Sequence, residues 1–156
     1  MTMDTLDTLL EQAEGERNRA LAALNQTRAR AQAARVQGTQ LDAYRSDYQQ
    51  RWSAQFAQGA ALEIVRCYQG FADRLETAIA QQGHAVAQAE AAVAQAGDAL
   101  TAYELRVASV RKLIERRTQA ARRDADRREQ RADDEDAMRK AAQCRATLGK
   151  TSGVAT

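Results

Sequence analysis

Apolar side chains recur along this chain in alternating steps of three and four residues, the spacing of a helical stripe that packs on another helix. After Gly59 the stripe runs through Ala61, Val65, Tyr68, Ala72, Leu75, Ile79, Gln82, Val86, Ala89, Val93, Ala96, Leu100, Tyr103, Val107, Val110, Ile114, Arg117 and Ala121, and only Gln82 and Arg117 break it. A weaker stripe precedes it through Leu6, Leu10, Ala13, Arg17, Ala20, Leu24, Thr27, Ala31, Ala34, Gly38, Leu41, Arg45, Tyr48 and Trp52. The pattern predicts one helix over about residues 5–57 and a second over about 61–147, with a turn near Gly59, since glycine takes left-handed backbone without steric penalty. The first helix should begin within residues 3 to 9. Thr8 and Glu11 have capping-box spacing, with Asp4, Thr5 and Asp7 as alternative caps.

If the chain doubles back at Gly59, position i faces roughly 118 minus i, so Leu6 comes opposite residue 112 or so. The second stripe reaches its last large apolar residue, Ile114, just there. Beyond Ala121 the same register holds Asp124, Arg128, Arg131 and Glu135, which no dry interface accepts unpaired. Two separate observations therefore agree on an all-α fold, an antiparallel two-helix coiled-coil hairpin with a projecting C-terminal helix extension. It forms a single domain over residues 1–148, and Gly149 and the small polar residues after it are expected to end the helix in a disordered tail over 149–156.

Composition narrows the function. The chain has 156 residues and is 44% hydrophobic, but alanine supplies 35 of those positions and only seven residues are aromatic, too little bulk for a thick core with an enclosed active site. Proline is absent, and Ala, Gln, Glu, Arg and Leu abound, as long uninterrupted helices require. No run is long and apolar enough to span a membrane, residues 1–16 do not resemble a signal peptide, and Cys67 and Cys144 are too few to staple a fold, so the chain is expected to be cytosolic with both thiols reduced.

Candidate chemistry is sparse. His84, the single histidine, has no acid or cysteine at ligand spacing, and Asp133 to Asp136 lack the alternating ligands and central glycine of a calcium loop, so no metal, cofactor or enzymatic activity is expected. Residues 111–131 hold nine basic and four acidic side chains, including the pairs Arg116-Arg117, Arg122-Arg123 and Arg127-Arg128. Interleaved acids and the following Asp133-Asp134-Glu135-Asp136 argue against nucleic acid as partner and favour a solvated helix laced with intrahelical pairs, or one that docks on a charged protein surface. Six aromatics, Tyr44, Tyr48, Trp52, Phe56, Tyr68 and Phe71, gather around the turn. Tyr48, Trp52 and Tyr68 fall in or beside the stripes; Tyr44 and Phe71 do not, and with Leu41, Leu75 and Ala78 they are expected to form an exposed apolar docking strip.

The segments Leu41-Asp42-Ala43-Tyr44-Arg45-Ser46-Asp47-Tyr48, Tyr68-Gln69-Gly70-Phe71, Leu75-Glu76-Thr77-Ala78-Ile79 and Asp134-Glu135 with Ala137, in this order around a central glycine, resemble the FliJ family of flagellar type III export proteins. The resemblance implies a hairpin shaped like the central stalk of rotary ATPases. It also implies an accessory role in flagellar protein export and motility: binding the hexameric export ATPase, linking it to the membrane-embedded export gate and handling export chaperones, at the cytoplasmic face of the inner membrane. By position, Gln37, Leu41, Tyr44, Tyr48, Phe71, Leu75 and Ala78 match the family's gate-contacting surface. Arg116, Arg117, Arg122, Arg123, Arg127 and Arg128 are the expected ATPase contacts, from projection and charge. The stalk protein of a virulence injectisome and a nucleic-acid-associated coiled coil are the alternative functions.

Overall fold

The first helix starts on Thr2, whose Oγ1 accepts a hydrogen bond from the Thr5 backbone N–H at 3.3 Å and lies 2.7 Å from the Thr5 hydroxyl. Thr2 thus satisfies one of the donors that every helix N-terminus leaves open. Thr8, expected as a cap, sits inside the helix and donates its hydroxyl to the Asp4 carbonyl at 2.9 Å. The computed structural model describes residues 1–153 and holds two helices packed as an all-α hairpin, α1 (Met3–Ala57) and α2 (Leu62–Thr151), with no strand among the described residues.

Between them, the Gln58 and Gly59 N–H groups bond back to the Gln55 and Phe56 carbonyls at 3.2 and 3.0 Å, and Gly59 takes a φ of 90°. A side chain there would strain the backbone, so the turn falls where the glycine allows it. At its far end α2 runs through Gly149 to Thr151 instead of stopping at the glycine. Hydroxyls satisfy the last carbonyls: Thr151 donates to Leu148 at 3.0 Å, and Ser152 to Gly149 at 3.3 Å. The remainder of the expected tail, 154–156, lies outside the described residues.

The chain divides into two compact units, one of Leu9–Val107 and one of Met1–Thr8 with Ala108–Thr156. In the first, every α1 stripe residue from Leu10 to Trp52 and every α2 stripe residue from Val65 to Val107 is buried or half-buried. The most enclosed are Ala13, Ala20, Leu24, Ala31, Leu75 and Val107. Half of that core is alanine, so the helices gain little apolar burial per layer. Cross-helix ion pairs lie near the antiparallel diagonal: Arg106–Glu16 and Arg35–Glu90 at 3.0 Å, Arg45–Glu76 at 3.2 Å. Partly exposed pairs of this kind contribute at most about 1 kcal/mol each, so they favour this alignment more than they supply stability.

In the second unit Leu6 is fully buried, and Val110, Ile114 and Thr118 are half-buried. The Arg117 guanidinium donates to the Met1 carbonyl. Ala61, Arg117 and Ala121, the extremes of the α2 stripe, are exposed, and every residue from 119 to 153 is exposed as well. The continuous apolar stripe therefore ends at Ile114, where the opposing helix runs out of residues to cover it.

Candidate protein-docking surfaces

Tyr44, Tyr48, Trp52 and Phe56 follow one another at four-residue spacing, which stacks them along one face of α1, and Tyr68 and Phe71, three apart, do the same on α2. The rings interlock. Tyr48 lies with its ring centre 4.4 Å from Phe71 and 5.4 Å from Tyr68, and Trp52 lies 5.4 Å from Tyr68 and 5.3 Å from Phe56. Tyr44 closes the series at 6.2 Å from Phe71, edge-on, and at 51% exposure it is the open end of the cluster. Such offset and edge-on contacts add roughly 0.5–1.5 kcal/mol each beyond area burial, so the rings hold the two helices together near the bend.

The candidate gate residues do not form one exposed strip. Leu75 is 7% exposed and belongs to the core. Leu41, Tyr48, Phe71 and Ala78 are half-buried, whereas Tyr44 and Gln37 are exposed. Leu75 points along the stripe that α1 covers, so it supports the surface instead of presenting it. What the structure assembles is a groove of about 440 Å³ that joins Gln37, Leu41 and Tyr44 to Gln40 and Gln82. A second groove of about 270 Å³ runs along the other side of Tyr44, lined by Asp47, Tyr48, Arg51, Trp52 and Gln55. Tyr44 is therefore a ridge between two hollows. Gln40 and Gln82 escaped the reading from the sequence, although Gln82, the polar break in an apolar stripe, was its visible signal.

The exposed stretch of α2 sorts its arginines. Arg117 is engaged by the Met1 carbonyl. Arg116, Arg122, Arg123, Arg127 and Arg128 make no ion pair among the described residues, and on this stretch the side-chain pairing consists of Arg139–Asp136 at 2.9 Å and a long Gln119–Glu115 hydrogen bond at 3.4 Å. The expected lacing by intrahelical pairs is largely absent. Several arginines have an acid three or four residues away, such as Asp126 after Arg122 and Arg128 after Asp124, but these side chains do not pair among the described residues and stay in water, where such pairs contribute little.

A sequence profile of the flagellar FliJ protein family matches residues 3–145. The chain belongs to the FliJ family. No curated protein and no solved structure gave a significant match.

FliJ-family membership makes this a stalk-type protein of the flagellar export apparatus, in a family of non-catalytic accessory proteins. No helix is long and apolar enough to cross a membrane, and no group of three or more His, Cys, Asp or Glu residues converges as a metal site among the described residues. His84 is exposed, as are both free cysteines. In this FliJ-family chain the notable surfaces are the tyrosine ridge near the bend and the exposed helix after Thr118.

Proposed function

We propose that this FliJ-family chain is the accessory stalk of the flagellar export ATPase. It binds the hexameric ring through the exposed, arginine-rich part of α2, and the contacts are drawn from the set Arg116, Arg117, Arg122, Arg123, Arg127 and Arg128. It meets the cytoplasmic side of the export gate through Gln37, Leu41, Tyr44, Tyr48, Phe71, Leu75 and Ala78, Leu75 acting from beneath. It also receives export chaperones, and works peripherally at the cytoplasmic face of the inner membrane. The observation that carries this reading is the run of α2 beyond Thr118: among the described residues every side chain from 119 on is exposed, and Arg122, Arg123, Arg127 and Arg128 make no ion pair. Charges held on a stiff helix and unpaired in the free protein steer encounter with a complementary surface and lose few existing bonds on docking.

The test is hydrolysis by the cognate export ATPase, measured beside ring formation. Adding the full chain raises both in proportion, and a chain carrying charge reversal at all six arginines does not co-purify with the ATPase. Unchanged hydrolysis, or co-purification that survives the six reversals, overturns the reading.

A further inference from the structure

Most of the charges between residues 112 and 136 fall in two stripes around the helix. At about 100° per residue, Lys112, Arg116, Arg123, Arg127 and Arg131 fall in one stripe about 100° wide and about 28 Å long. Glu115, Asp126, Glu129, Asp133 and Asp136 fall in a second stripe about 80° wide, about a third of a turn away. All ten side chains are exposed, and the five cations have no ion-pair partner among the described residues. The remaining arginines are placed differently. Arg122 lies within the acidic stripe, and Asp124, Arg117, Glu135 and Arg128 share a face of mixed sign that flanks the basic stripe, Arg117 being engaged by Met1. Asp134 follows Arg131 in line and ends the stripe's positive sign.

We infer that this stretch is a one-sided docking face for a row of carboxylates on a partner protein, with Lys112, Arg116, Arg123, Arg127 and Arg131 in the interface and Arg122 outside it. The inference rests on the stalk reading above and names which side of the helix the partner meets. An acidic protein surface satisfies the basic stripe from one side while the acidic stripe stays in water, and like-charge repulsion on that stripe rejects the opposite approach. A phosphate backbone needs a sustained basic surface over its length; here the positive sign stops at Asp134 and the neighbouring stripe repels it.

The test compares the full-length wild type with Arg116→Glu/Arg123→Glu/Arg127→Glu, with Arg122→Glu and with the six-arginine reversal, each with helicity checked by circular dichroism. Binding to the purified cognate ATPase is measured at low and high NaCl. The triple reversal weakens binding by about 100-fold or more and flattens its salt dependence, Arg122→Glu stays within about twofold of wild type, and poly-L-glutamate competes. Arg122→Glu as harmful as the triple reversal overturns the face assignment while the stalk reading stands, provided the six-fold reversal still abolishes binding. Wild-type binding by the six-fold reversal overturns both. Displacement of the ATPase by a short DNA duplex, with poly-L-glutamate ineffective, overturns the carboxylate partner.

Discussion

Gln82 of α2 donates its Nε2–H to the Ala34 carbonyl of α1 at 2.8 Å, across a layer where every neighbour on the stripe is small or apolar. The same nitrogen reaches Gln37 Oε1 at 3.3 Å, so one side chain ties the helix register to the wall of the groove beside Tyr44. Gly38 faces the same side chain, and an added Cβ there would lie 3.8 Å from Gln82 Cγ, at ordinary van der Waals contact. A polar residue at one layer of an apolar seam selects an alignment, since a shift would leave it unpaired.

That spacing sets the first prediction. Gly38→Ala brings ordinary van der Waals contact and removes a helix-interior glycine, so it raises stability by roughly 0.5–1 kcal/mol in urea unfolding. Gly38→Leu overfills the layer and displaces Gln82; it lowers stability and weakens binding to the export gate together. A Gly38→Ala chain less stable than wild type would mean that the layer has no room to spare.

Leu24 is 4% exposed, whereas Arg127 is exposed and makes no ion pair among the described residues. Leu24→Ala therefore costs about 2–3 kcal/mol and Arg127→Ala stays within about 0.5 kcal/mol, as read by thermal or urea unfolding. Equal effects would contradict the burial pattern.

At the bend, Tyr44→Ala removes an exposed ring that rests on Phe71 at 6.2 Å. Gate binding falls while the melting temperature changes little, whereas Leu75→Ala lowers the melting temperature first. Pull-down with the cytoplasmic part of the gate, paired with circular dichroism, separates the two. A Tyr44→Ala chain that binds as wild type removes the ridge from the proposed surface.

Ala23 and Ala99 line one groove with Tyr103 between the two helices of the Leu9–Val107 unit. With Cys67 and Cys144 replaced by serine, spin labels at these positions lie within about 25 Å in a dilute monomer, given helix axes about 8–10 Å apart plus the label arms. A distance that is short only in mixtures of singly labelled chains would show that the helices pair between molecules.

The elements were legible in the sequence because helical periodicity is a local property: the two stripes and Gly59 name both helices, their turn and their antiparallel diagonal without any coordinates. The same logic located the end of the paired region, since Ile114 is followed by charges in register. Chain ends were harder. Thr2 caps α1 and hydroxyls carry α2 past Gly149, and both depend on single hydrogen bonds that compete with several equivalent candidates nearby.

Periodicity and composition by themselves determined that this protein is an all-α hairpin, because stripe spacing and turn chemistry act within a few residues of the chain. Tertiary structure alone decided which residues of the proposed gate surface are available. Leu75 and Tyr44 read alike as apolar positions near a bend, yet one is enclosed by α1 and the other left as a ridge. Exposure is a property of what packs opposite, and the two helices must be brought together before a side chain of either has an inside and an outside.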